Sequence, residues 1–193
     1  MIYLASQSPR RQELLMQLGV QFDVIDVVVH EQRQPSETPL DYVNRVAREK
    51  AGAGLLQLQG NSNAIVLGAD TDVVLNNSVM GKPETNEQAY RMLKQLSGNT
   101  HEVITAVCLV SAQREAHRIV STRVSFSELS DQEISKYIES KEPFGKAGAY
   151  AIQGKAAAFI TSIEGSYSGV MGLPLHETYQ LLQEFHVPIW VNH

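Results

Sequence analysis

Asp70 and Asp72 stand on either side of Thr71, directly behind the apolar stretch Ala64-Ile65-Val66-Leu67-Gly68-Ala69. Such a stretch reads as a buried strand, and open α/β sheets bind their ligands at strand ends. Two carboxylates there suit Mg²⁺, which takes one or two protein carboxylates and completes its shell with phosphate oxygens and water. They share a face only if the chain stays extended through Thr71. A polar turn closing the strand accounts for a lone D-x-D equally well. Glu31 follows a strand predicted over 22–29, which puts it either at the same sheet end or in a solvated loop with Gln32-Arg33-Gln34.

A second group lies near the N-terminus, where Ser6-Gln7-Ser8-Pro9-Arg10-Arg11 joins a short strand to a helix start. Ser8 reads as the N-cap and Pro9 as the first helical residue. Free backbone N–H groups, hydroxyls and two guanidiniums in one turn are the makings of a phosphate site. Capping alone explains Ser8. It does not explain two arginines in a first turn, where the helix dipole disfavours cations unless an anion is present.

Three lysines form the third signal: Lys50 in a long helix, Lys82 in Gly81-Lys82-Pro83 and Lys146 in Gly145-Lys146-Ala147-Gly148. Each alone is an ordinary surface lysine, but a loop stiffened by glycine and proline is a poor place for an idle cation. The glycine-rich segments around Tyr150-Ala151-Ile152-Gln153 and Gly172-Leu173-Pro174 let backbone approach a flat ligand. Gln153 is suited to paired hydrogen bonds with a base; Tyr150 is suited to stacking or to the core.

These groups need elements to hold them. Periodicity and caps predict a strand over 2–5, a helix from Pro9 stopped by Gly19, and the strand over 22–29. A long helix then opens at Thr38-Pro39. A strand over 64–67 follows, with 73–75 as its continuation or its return. Thr85 with Gln88 and Ser130 with Glu133 are capping-box signatures for two more helices. Strands are expected over 101–110, 119–126, 149–153 and 158–163, and Pro174 opens the last helix. The alternation gives an α/β or α+β chain with a mixed sheet, read as one unit over 1–193 whose weakest seam is near Gly98.

With 193 residues, 43% of them hydrophobic, the chain can build a core without metal or disulfide staples, so disorder is excluded. A net charge of −5 argues against a protein that coats nucleic acid, so any anion must be held locally. No apolar stretch approaches the roughly 18 residues of a membrane span. The single cysteine, Cys108, lies in an apolar strand, and no targeting segment is read, so a cytoplasmic setting is expected. No HExxH, CxxC or paired histidine spacing supports zinc, and no GxSxG elbow or P-loop is present.

The blocks Leu4-Ala5-Ser6-Gln7-Ser8-Pro9-Arg10-Arg11, Gly68-Ala69-Asp70-Thr71, Gly81-Lys82-Pro83, Leu96-Ser97-Gly98 with His101, Lys146-Ala147-Gly148-Ala149-Tyr150 with Ile152-Gln153-Gly154, and Gly172-Leu173-Pro174-Leu175 occur in one order. Together they resemble the Maf-like nucleoside triphosphate pyrophosphatases, from residue 2 to about residue 185, and are most similar to the branch acting on dTTP and UTP. The resemblance implies a cytoplasmic enzyme, dependent on a divalent cation such as Mg²⁺ or Mn²⁺, that converts a nucleoside triphosphate to the monophosphate and pyrophosphate. It implies an elongated mixed sheet flanked by helices, two lobes around a nucleotide cleft, and a homodimer. Carried onto matching positions, Asp70 is the proton acceptor and Glu31 with Asp70 holds the metal. Ser8, Arg11, Lys50 and Lys82 hold the triphosphate, and Arg10, Thr71 and Gln153 set base preference.

Two positions depart from the family pattern. Asp72 stands where an aliphatic residue is usual, and Gly145 where an aspartate usually precedes Lys-Ala-Gly. Other readings are the branch acting on 7-methyl-GTP, a non-catalytic nucleotide-binding regulator of cell division, and a DxD-type nucleotide-sugar transferase using Asp70 and Asp72.

Overall fold

The computed structural model describes residues 2–190. Its centre is a seven-stranded mixed sheet in the order β2-β1-β3-β5-β6-β7, with β4 paired to β3. The strands are β1 (Ile2–Leu4), β2 (Phe22–Val24), β3 (Ile65–Leu75), β4 (Ser78–Val79), β5 (Thr100–Ser111), β6 (Glu115–Phe126) and β7 (Ile160–Glu164). β1 runs parallel to β2 and β3, and the other pairs are antiparallel. The helices are α1 (Pro9–Gln17), α2 (Pro39–Gln57), α3 (Asn86–Leu96), α4 (Asp131–Glu139), α5 (Tyr167–Met171) and α6 (Leu175–Glu184). No helix among the described residues is long and apolar enough to cross a membrane.

Local signals place the helix starts. Pro9 and Pro39 occupy the first position of α1 and α2, and the boxes at Thr38 with Asp41 and Ser130 with Glu133 are complete. At α3 the box is only half made. Thr85 accepts from the Gln88 N–H, but the Gln88 side chain accepts from the N–H of Glu84, one residue earlier than expected.

The strands differ more from the sequence expectation. β2 stops at Val24 because its partner β1 ends at Leu4, where the chain turns into α1, and only the Ile25 N–H bond to the Leu4 carbonyl lies beyond. β3 does not end at the acids. Its register with β5 is unbroken from Ile65 opposite Ser111 to Val74 opposite Glu102, so residues 73–75 continue the strand and Asp70 lies in mid-strand. No strand forms over 149–153, because Gly148 and Ala149 both take positive φ and close a tight turn. β7 begins only at Ile160, since Lys155–Phe159 coils into a 3-10 turn.

Strand parity sorts the core. Even-numbered residues of β3 and β5, including Val74, Ile104 and Ala106, face α2 and pack on Tyr42, Val43, Val46 and Ala47. Odd-numbered residues face the other way and form two apolar clusters. One joins Leu67 and Leu109 to α1 and α6, and the other joins Val73 and Val103 to α3 and α4. Thr71 and Thr105, paired across β3 and β5, lie between them. The long strands thus run through both lobes as a common floor. β1 pairs with β3 only as far as Leu67, and β4 picks it up only at Val74. Between those points this edge of β3 has no strand beside it among the described residues.

Candidate active site

A cleft of about 460 Å³ opens at that gap, and of the residues expected to do chemistry all but Asp72 line it. Ser8, Arg10 and Arg11 come from the start of α1. Glu31 and Lys50 come from the segment before α2 and from α2 itself. Asp70 and Thr71 come from β3, and Lys82 and Gln153 from loops.

On the α2 side, the ammonium of Lys50 lies 2.5 Å from Glu31 Oε1 and 2.8 Å from Asp70 Oδ1. Lys50 reaches this point because Gly68 lets α2 pack against β3: a Cβ there would sit 2.4 Å from the Ala47 carbonyl. Lys82 donates to the other Glu31 oxygen at 3.2 Å. In its loop Gly81 takes positive φ, and the Gly81 carbonyl accepts from the Gly148 N–H. Burial pushes the Glu31 carboxyl up, but the hydrogen bond and charge of Lys50, helped by Lys82, outweigh it and bring it down to about 2.

Asp72 shares the α2-facing side of β3 with Asp70 and is buried, yet it does not line the cleft. Burial and the charge of Asp70 push its carboxyl up to about 7. The extended strand therefore gives the two acids a common face but different surroundings. Gly145, the other departure, lies on the cleft wall, where a Cβ would meet nothing within 4 Å.

On the opposite face Arg11 ties three segments together. Its Nε donates to the Gly172 carbonyl at 2.8 Å, Nη1 to Ser6 Oγ at 3.1 Å and Nη2 to Thr71 Oγ1 at 3.2 Å. A guanidinium has five N–H donors, so two remain for a ligand. Burial lowers its pKa, partly offset by the charge of Asp70. Arg10 Nε donates to the Met171 carbonyl at 3.3 Å, leaving its terminal nitrogens free of protein bonds among the described residues. Ser8 occupies the N-cap position, but its side chain makes no capping bond, so its hydroxyl stays available.

Thr105 was not foreseen. Its Oγ1 lies 2.8 Å from the Gly169 carbonyl and 3.0 Å from Thr71 Oγ1. Thr105 is the donor in both contacts, so its single proton is shared between the Gly169 carbonyl and Thr71 Oγ1. Thr71 also accepts from Arg11, and its own proton has no acceptor in the protein among the described residues, so its hydroxyl can donate to a ligand. The signal in the sequence was a threonine inside the apolar run of β5, but its partner emerges only from the β3–β5 register. Tyr150 takes the core role: its hydroxyl lies 2.8 Å from His101 Nε2, and its ring packs edge-on against Phe126.

The donor set on the α2 side is two hard carboxylates converging on one point of positive charge, which suits Mg²⁺ or Mn²⁺. The opposite side presents guanidinium and hydroxyl donors. An anion chain with a flat group at one end matches this arrangement.

A family model described as Maf-like protein matches residues 1–185. The chain is 55% identical over 187 residues to a protein named dTTP/UTP pyrophosphatase from Xanthomonas axonopodis pv. citri (strain 306), covering 96% of this chain and 98% of the relative. It is 53% identical over 184 residues to one of the same name from Escherichia coli (strain K12), covering 95% of this chain and 92% of that relative.

Proposed function

This chain belongs to the Maf-like protein family, and from that premise we propose that it is a nucleoside triphosphate pyrophosphatase that hydrolyses dTTP and UTP to the monophosphate and pyrophosphate. The observation that carries the reading is the Lys50 ammonium held between Glu31 and Asp70, in the same cleft into which the cation-bearing start of α1 opens. Water attacks the α-phosphorus, the bond from that phosphorus to the bridging oxygen breaks, and pyrophosphate leaves. Such chemistry is mostly positioning and neutralisation of charge.

Asp70 orients the attacking water and accepts its proton. Arg11, Lys50, Lys82 and the Ser8 hydroxyl hold the triphosphate. Glu31 and Asp70 would also hold a divalent cation, which when bound supplies charge neutralisation and a more acidic water. Arg10, Thr71 and Gln153 form the end that meets the base, and uracil and thymine offer carbonyl acceptors to the donors of Arg10 and Gln153. Residues 1–193 act as one catalytic unit, and a homodimer in the cytoplasm belongs to the same reading.

Product analysis decides it. Incubated with Mg²⁺ or Mn²⁺ and dTTP, UTP or 7-methyl-GTP, the protein is expected to release pyrophosphate and monophosphate, with the higher kcat/KM for dTTP and UTP. Orthophosphate and a nucleoside diphosphate as first products would sink the assignment, and preference for 7-methyl-GTP would sink the substrate.

A further inference from the structure

We infer that Glu142 and Tyr137, outside the cleft, are positioning residues that set the place of Gln153 and through it the selectivity for the base. The inference rests on the pyrophosphatase reading and deepens its base-recognising end.

Residues 151–154 form a turn closed by the Gly154 N–H on the Ala151 carbonyl at 3.0 Å, with Gln153 as its third residue. The Gln153 side chain is exposed and makes no hydrogen bond to the protein among the described residues, so its reach into the cleft depends on where the turn is held. Both feet of that turn are pinned by the same pair of side chains. At its first residue, the Ala151 N–H donates to the Tyr137 hydroxyl at 3.3 Å. After it, the Lys155 N–H donates to Glu142 Oε2 at 3.1 Å and the Ala156 N–H to Oε1 at 3.4 Å. Tyr137 donates its own proton to Glu142 Oε1 at 2.9 Å, which joins the two feet into one network.

Charge and fit favour a carboxylate here. Glu142 sits at the start of the 3-10 turn Lys155–Phe159, where exposed N–H groups attract an anion. Gly154 leaves it room, for a Cβ there would lie 2.4 Å from Glu142 Oε1. Tyr137 is anchored independently. It is buried on α4, its ring meets Phe159 edge-on at 5.3 Å, and burial together with Glu142 keeps its hydroxyl protonated. The clamp touches none of Asp70, Glu31, Lys50 or Lys82, so it acts on base recognition and leaves the bond-breaking end alone.

The test pairs Glu142→Gln, which presents an amide NH₂ to one backbone N–H, with Tyr137→Phe, which removes only the hydroxyl. Each variant is first shown to be folded by circular dichroism. Expected are a rise of roughly tenfold in KM for dTTP with kcat little changed, and a fall in the kcat/KM ratio of dTTP over dGTP. Adding either change to Gln153→Ala should cost little further selectivity, because the clamp acts through that glutamine. Amide hydrogen exchange at residues 151–156 should quicken in both variants. Unchanged KM, selectivity and exchange would overturn the inference, and so would losses that are equal for both nucleotides or fully additive with Gln153→Ala. A wild type that releases no pyrophosphate from dTTP overturns the functional reading instead, a failure told apart because exchange is read without turnover.

Discussion

Lys50 carries the most consequential single contact, since two carboxylates share its charge. Removing one partner of a buried ionic group leaves the other uncompensated, which costs more than the pair itself contributes. Lys50→Met should therefore lower the melting temperature at neutral pH and abolish most turnover, because the triphosphate also loses a cation. It should at the same time make the protein more responsive to metal. With the ammonium gone, Glu31 and Asp70 lose the one cation that bonds to both, keeping Lys82 on Glu31 and the Arg11 guanidinium further off, and a divalent cation supplies the missing charge. The expected outcome is a larger rise in melting temperature on adding Mg²⁺ or Mn²⁺ to Lys50→Met than to the wild type; an equal response would show that these carboxylates do not hold the cation. The residue types behind this prediction were legible from sequence, but the contact between them was not, because Lys50 and Asp70 are joined only when α2 lies across β3.

How closely α2 lies on β3 is set by one glycine. At Gly68 a Cβ would meet the Ala47 carbonyl at 2.4 Å and the Ala51 nitrogen at 2.5 Å, both of them backbone that cannot swing aside. Gly68→Ala must lift the helix, and overpacking of that kind costs about 1–3 kcal/mol. It should also weaken activity, since Asp70 is two residues on and Lys50 sits on the displaced helix. Gly52, on the same helix, is the control: a Cβ there meets nothing within 4 Å. Alanine in a helix interior is favoured over glycine by roughly 0.5–1 kcal/mol. Gly52→Ala should raise the urea midpoint with kinetics unchanged, whereas Gly68→Ala should lower both. If Gly68→Ala keeps wild-type stability and kcat, the close approach does not control the site.

Across the whole molecule, stability should carry the imprint of a histidine buried in the second lobe. His101 is packed among Phe126 and Tyr150, and burial alone lowers its pKa from 6.5 to about 4. The unfolded chain therefore takes up the proton first. Stability from the neutral ring is fully present above pH 6.5, declines as pH falls, and stops declining below about 4. The shift corresponds to about 3 kcal/mol at most. Asp72, pushed up to about 7, titrates in an overlapping window with the opposite sign, so the wild-type curve alone mixes the two. The measurement is the difference in urea unfolding free energy between wild type and His101→Gln. That difference should favour the wild type most at pH 7 and shrink steadily towards pH 4; a difference independent of pH would mean that the ring is not held neutral by burial.

Helix starts, the mixed α/β class and the residues bearing charge into the cleft could be read from the chain because each depends on neighbours a few positions away. Pro9 at a first turn, Thr38 before Pro39, and Lys82 between Gly81 and Pro83 are local facts of this sort. Strand extent is different. Whether Asp70 closes a strand or lies within one depends on β5 being paired with it through Ala106 opposite Asp70, 36 residues further along the chain, since 106 − 70 = 36. No pattern within residues 64–75 encodes that partner. The same register decided that Asp70 and Asp72 face α2 while Thr71 faces Arg11, and it brought Thr105 beneath the cleft. The turn of Gln153 likewise took its place from Glu142 and Tyr137, side chains outside the run 145–154 that announced it. Backbone hydrogen bonding between distant segments costs loop-closure entropy that only the assembled sheet and core repay, so those choices were made by the tertiary structure.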